Sequence, residues 1–313
     1  MKLRQRLSRA LVYYGTKSII FFFRLLPFGF DTWLGAGLGR FAYHVLPRER
    51  EKGVQNILKA FPDNDQTWAR KQLKKSFEGF GRSIMELVKL ETIVRHIDDF
   101  IQVRNFEVFE QARAKGNGVL WITGHIGNWE LMPVYFAAKG YETYVVAKQL
   151  YDPNMDGLIN GLRERFGVHP VLRGSEGSGK KILRALRSNA ILGMLIDQDT
   201  DVQGVFVQFF GDAAFTPRGA ADLAIKAGAG IVAGFITRTD STHHVITLHA
   251  PVVPEKTGQY EHDVAALTQS MTTSIEQHIR EHPADWVWMH ARWAKRPPGP
   301  AAKEKVVLNK DEL

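Results

Sequence analysis

The stretch VLWITGHIGNWELMP, residues 119–133, decides the fold. Its first five residues, Val119 to Thr123, form a short apolar and β-branched run, the pattern of a buried strand. From about Asn128, the residues Trp129, Leu131, Met132 and Val134–Phe136 precede Gly140, which suits a buried helix with a glycine stop. Gly124-His125-Ile126-Gly127 is then a strand-to-helix turn, the place where open α/β sheets bind ligands.

The same alternation runs through the rest of the chain. Apolar runs at 118–123, 144–147, 169–172, 191–197, 205–210, 230–237 and 244–249 read as strands. Helical stretches such as 155–167 and 179–189 lie between them, which predicts an α/β domain with helices flanking a sheet. Residues 48–115 are charged and helical, with Val54, Ile57, Leu58 and Phe61 at helix spacing, as are Leu73, Phe77, Phe80 and Ile84. Three regions are expected: an apolar N-terminal region 1–47, an α/β domain 48–298 and a charged tail 299–313.

The 313 residues are 44% apolar, enough for a sizeable core, and contain no cysteine. Disulfides, thiolate zinc sites and cysteine nucleophiles are therefore excluded. The net charge of +8 is unevenly spread: residues 1–24 hold six Lys/Arg and no acid. Between these cations lie Leu11, Val12, Tyr13, Tyr14, Ile19, Ile20 and Phe21–Phe23. Cations interleaved with bulky apolar side chains suit an anionic membrane surface better than a nucleic-acid groove. No small-x-small site follows cleanly, so a cleaved signal peptide is not expected. Lys17 and Arg24 interrupt the apolar run, and extending it adds Pro27 and Asp31. A monotopic or membrane-embedded region at the cytoplasmic face is the expectation. A single span with Lys17 snorkelling, or a helix packed on the protein's own core, are the alternatives. The terminal KDEL, Lys310–Leu313, has the form of an endoplasmic-reticulum address, but without a signal peptide it would not be read.

Several motifs fail on inspection. RGSEGSGKK (173–181) has most of a P-loop, but Lys181 stands where the motif needs Ser or Thr. GAGLG (35–39) and AGAGIVAG (227–234) miss the dinucleotide spacing. There is no GxSxG elbow and no HExxH helix. His243 and His244 are adjacent on a strand and point to opposite faces, so they suit polar filling at a strand edge rather than a metal.

His125 and Glu130 are the remaining candidates. On one uninterrupted helix, five positions rotate a side chain by about 500°, so the two would not meet. With His125 in the turn and Glu130 in the first helical turns, the carboxylate can reach back to the imidazole, giving a base and its orienter. A nearby helix N-terminus would keep the histidine neutral at rest. A satisfied core histidine is the structural alternative.

The H-x4-E block after a strand resembles the glycerolipid and lysophospholipid acyltransferases, and further blocks narrow the likeness to the bacterial late acyltransferases of lipid A biosynthesis. These blocks are Arg163 and Arg165 in GLRERFG, Arg173 before a second helix, and Asp197-Gln198-Asp199 after a buried strand. Val207, Phe209-Phe210-Gly211, Thr216 and Gly219 follow, and then Pro283, Trp286, Trp288, His290, Arg292, Trp293, Arg296 and Pro297. The resemblance implies transfer of an acyl chain from acyl-carrier protein to a hydroxyl of a lipid A precursor, at the cytoplasmic face of a bacterial inner membrane. His125 would be the general base and Glu130 its orienter, with Arg163, Asp197 and Arg173 binding substrate. No cofactor and no metal are implied. Relatives of this kind also acylate lysophospholipids, mannosylated inositol lipids and aminolipids. A thioesterase and a non-catalytic lipid-binding protein are the rival classes. Lys180, Arg184 and Arg187 recur on one helix face and suit either solvent or an acidic carrier protein.

Overall fold

The structure, a computed structural model, describes residues 3–254 and 256–297, with residues 3–12 as backbone only. The tail from 299, with its KDEL, and the side chains of the first basic residues lie outside the described residues.

Helices come first: α1 (Leu3–Leu25), α2 (Phe30–Val45), α3 (Pro47–Ala60), α4 (Gln66–Val88), and the short α5 (Leu90–Arg95) and α6 (Ile97–Phe100). Strands and helices then alternate: β1 (Ile101–Arg104), α7 (Phe106–Arg113), β2 (Val119–Thr123), α8 (Leu131–Ala138), β3 (Thr143–Ala147), α9 (Pro153–Arg165), β4 (Val168–Leu172), α10 (Ser178–Arg187) and β5 (Ile191–Leu195). A hairpin of β6 (Gly204–Phe209) and β7 (Asp212–Pro217) follows. The remaining elements are α11 (Gly219–Ala227), β8 (Gly230–Arg238), β9 (His244–His249) and α12 (Tyr260–Glu281).

Seven strands form one sheet in the order β1-β9-β8-β2-β5-β3-β4. Every neighbouring pair is parallel except β8 with β9. All five residues of β2 are buried, as a central strand covered by helices on both faces must be. Because strand side chains alternate, Leu120 and Ile122 enter one core with Leu192, Phe235 and Trp286, while Val119 and Trp121 enter the other with Phe109 and Phe136.

All seven expected runs are strands, but two features depart from expectation. The VFVQFF run is not in the main sheet; it pairs antiparallel with β7, itself not anticipated. The hairpin turn is Phe210-Gly211, both at positive φ (54° and 78°), the backbone that a two-residue connection requires. β1 is also unanticipated, because only four residues long and alternately exposed, IQVR carries almost no apolar signal.

The GAGLG motif has a packing role. A Cβ on Gly39 would stand 2.1 Å from the Phe77 carbonyl oxygen, and one on Gly81 2.1 Å from that of Gly35. α2 and α4 therefore cross in backbone contact, and only glycine fits there. Asp31, Thr32, Ala36 and Tyr43 of α2 are buried, whereas Phe30, Trp33, Leu38, Phe41 and Val45 are exposed. No helix among the described residues is long and apolar enough to cross a membrane.

Candidate active site

The parallel register of β2 and β5 sets Thr123 beside Leu195. His125 and Asp197 each lie two residues beyond those partners, so strand pairing delivers one against the other. Asp197 Oδ1 is 2.8 Å from His125 Nδ1. Its Oδ2 accepts the backbone N–H of His125 and the indole N–H of Trp286, each at 2.7 Å. The Asp197 side chain is wholly buried, while that of His125 keeps 21% of its surface exposed. Burial alone would raise the Asp197 pKa, but the charge and hydrogen bond of His125, with His290 and Trp286, hold it well below the usual carboxylate range. An ionised carboxylate on Nδ1 fixes the proton there and leaves Nε2 as the basic nitrogen.

The turn bearing His125 is locked from the C-terminal segment. Ile126 bridges Trp286, Val287 N–H donates to the His125 carbonyl at 3.1 Å, and Gly127 N–H donates to the Asp285 carbonyl at 2.9 Å. Gly127 has φ of 58°, and a Cβ there would meet the Ile236 carbonyl oxygen at 2.1 Å. Next to it, Asn128 donates to Glu86 Oε2 at 2.8 Å. Glu86 also takes Arg238 and the buried His244, whose Nε2 is 3.0 Å away. Burial opposes ionisation of Glu86, yet His244 and Arg238 hold its pKa down at about 2. His243, by contrast, is exposed and bonds Asp240.

Three further residues face His125. The Gln198 amide nitrogen lies 3.2 Å from His125 Nε2 and 2.8 Å from His290 Nε2. The His125 ring meets His290 and Trp129 edge-on, with centroids 4.9 Å apart in both cases. Burial lowers the His290 pKa to about 4 against the attraction of Asp197. Arg292, fully buried, donates to the Phe215 carbonyl at 2.5 Å and to Thr216 Oγ1 at 2.6 Å, tying the β6–β7 hairpin to this wall.

Glu130 does not occupy the place expected for it. Its carboxylate is bidentate on Arg163, at 2.9 Å to Nε and 2.5 Å to Nη2, and the carboxylate on His125 is that of Asp197. Glu130 is the residue preceding α8, so it heads away along the helix while the turn carries His125 to β5. Burial would lower the Arg163 pKa, but Glu130 raises it. The pair lines a narrow slot of about 50 Å³, otherwise walled by residues such as Trp121, Trp129, Met132, Val145 and Leu195. Asp197, expected to touch substrate, is sealed beneath His125 with both oxygens engaged. Arg173 is exposed just past the edge strand β4, and the described contacts do not bring it to His125. Gln198, Trp286 and His290 have site positions that sequence reasoning did not assign. Their signal was the density of Trp, His and Arg in residues 286–293.

The model of a family described as bacterial lipid A biosynthesis acyltransferase matches residues 1–295. The phosphatidylinositol mannoside acyltransferase of Mycobacterium tuberculosis (strain ATCC 25618 / H37Rv) is 27% identical over 281 residues, 84% of this chain and 81% of that protein. The lipid A biosynthesis lauroyltransferase of Escherichia coli (strain K12) is 25% identical over 281 residues, 88% of each chain. The lipid A biosynthesis palmitoleoyltransferase of the same strain is 22% identical over 298 residues, 92% of each.

Proposed function

The chain belongs to the bacterial lipid A biosynthesis acyltransferase family, and from that membership we propose that it moves a fatty acyl chain from acyl-carrier protein to a hydroxyl of a lipid A precursor. It is an acyltransferase, and acyl transfer to a lipid acceptor follows from the family. The finer steps are inferred from the site.

His125 Nε2 takes the proton of the acceptor hydroxyl as the oxygen attacks the thioester carbonyl. Asp197 holds Nδ1–H and stabilises the imidazolium that forms. The C–S bond then breaks, and the thiolate of the carrier leaves with the proton from His125. In the resting site Gln198 lies against Nε2, so the incoming hydroxyl displaces its amide, which His290 retains. Glu130 is a positioning residue here. It fixes Arg163 beside the apolar slot, where a guanidinium suits the phosphate of an anionic lipid. The single observation that carries this reading is a buried carboxylate on Nδ1 of a histidine whose own side chain keeps 21% of its surface exposed.

Membrane association is supported by the exposed apolar face of α2 with Phe21, Phe22 and Leu25 of α1. A soluble surface rarely gathers so many large apolar side chains. Phe80 and Ile84 of α4 are also exposed, and Phe80 stacks on Trp129 at 6.2 Å, which meets His125. Trp129 thus joins an exposed apolar side chain of α4 to the base. The exposed Lys180, Arg184 and Arg187 of α10 suit an acidic carrier protein. The similarity to phosphatidylinositol mannoside acyltransferases favours a second acceptor, a mannosylated inositol lipid.

The test uses purified protein, acyl-carrier thioesters of several lengths, and lipid A precursors, mannosylated inositol lipids and lysophospholipids read by mass spectrometry. Gain of one acyl chain on a lipid A precursor, absent in His125→Ala, supports the proposal. Gain only on another lipid changes the acceptor, and free fatty acid without transfer overturns it.

A further inference from the structure

The last turn of α12 carries His278, Glu281 and the capping residue His282, which the acyl-transfer chemistry does not use. Offsets of three and four along a helix share one face. Here one ligand atom from each residue lies within 4.8 Å of the others. His278 is 5% exposed, and its Nε2 is buried with no hydrogen-bond partner among the described residues. Native proteins rarely leave such an atom unsatisfied, so it asks for an occupant. The ring is held in place by stacking on Phe235 at 4.4 Å and by His282 at 4.8 Å. Glu281 and His282 are exposed, and a pocket of about 420 Å³ lined by His249, Ser270, Ser274, His278 and Glu281 opens beside them.

We propose that His278, Glu281 and His282 bind a transition-metal dication of the Zn²⁺ type, with the remaining coordination position open to the pocket. Two imidazoles and a carboxylate are a zinc donor set that leaves such a position free, whereas Mg²⁺ and Ca²⁺ want oxygen ligands. The C-terminal end of a helix carries negative partial charge, which favours a cation there. The pocket supplies an entry path.

The site joins the catalytic turn through backbone. The Asp285 N–H donates to the His282 carbonyl at 3.0 Å, and the Asp285 carbonyl accepts from Gly127 at 2.9 Å. A metal on His282 therefore fixes the start of the loop that clamps His125. This site lies outside the catalytic cleft, where no metal is expected, and does not depend on the acyltransferase reading.

The experiment uses full-length, tag-free protein stripped with chelator and dialysed. Zn²⁺ is titrated calorimetrically, Co²⁺ is followed by its visible d–d absorption, and Mg²⁺ serves as control. The expected result is one Zn²⁺ per chain, tetrahedral Co²⁺ bands, a higher Tm with Zn²⁺, and no response to Mg²⁺. His282→Ala and Glu281→Gln, both at exposed positions where folding is not at stake, should each weaken Zn²⁺ binding by about tenfold or more. Wild-type Zn²⁺ uptake no stronger than that of a Glu281→Gln/His282→Ala double variant, or an equal response to Mg²⁺, overturns the site.

Discussion

Asp197 holds His125 at two points: Oδ1 lies 2.8 Å from the imidazole Nδ1, and Oδ2 accepts the backbone N–H of the same residue at 2.7 Å. Asp197→Asn puts an amide against Nδ1 and favours the tautomer that cannot accept a proton at Nε2. We expect kcat to fall by about 10³–10⁴, with KM for the acceptor little changed, since an orienting carboxylate acts on the transition state. Steady-state kinetics check this, and an unchanged kcat would remove Asp197 from the proton transfer.

Glu130 and Arg163 predict a different signature. Arg163→Met leaves a largely buried carboxylate without its partner, and loss of one member of a buried pair costs about 3–5 kcal/mol. Removing both charges in Glu130→Gln/Arg163→Met should recover part of that loss, as measured by urea midpoints. Because Glu130 does not touch His125, Glu130→Gln should lower kcat far less than Asp197→Asn. It should raise the KM of an anionic acceptor instead.

His290 makes stability depend on pH. Its folded pKa is about 4 against an ordinary 6.5, so between those values the unfolded chain holds the extra proton. Stability from this group is fully present above about pH 6.5 and is lost as pH falls toward 4. Asp197, whose folded pKa is depressed, acts in the same direction at the acidic end, its contribution falling away as pH drops below the ordinary carboxylate range. Urea melts of wild type and His290→Asn from pH 7 to 4.5 should show a shallower decline in the variant. Parallel curves would assign the dependence elsewhere.

The exposed face of α2 is open to a direct test. Trp33→Glu/Phe41→Glu should cut partition onto anionic vesicles by at least about tenfold, because each change replaces exposed apolar area with charge. Circular dichroism should be unaltered. Gly39→Leu, in contrast, should unfold the α2–α4 contact, since its side chain would overlap the Phe77 backbone.

The seven apolar runs and the glycine turn at 124–127 were legible because their signals are local. The carboxylate on His125 was not. β5 inserts between β2 and β3, so the nearest acid in space lies 72 residues along the chain, while proximity in sequence favours Glu130. A sheet order is set by crossovers, and no residue in a strand states its neighbour. The C-terminal block was visible as a concentration of tryptophans and charges. That Trp286 would donate to Asp197, and that Arg292 would be buried under a hairpin, depends on packing between distant segments.

The clamp of Asp285, Trp286 and Val287 on the turn at His125 also fixes an order of events during synthesis. Ribosomes deliver α1 and α2 long before this segment, so the exposed apolar face of α2 is made while the turn at His125 is still unclamped. Asp197 lacks its indole donor, and His125 its backbone clamp, until residues 283–293 have emerged. A chain arrested short of them would carry His125 in its turn but unheld. Activity thus arrives last, as a property of the finished polypeptide.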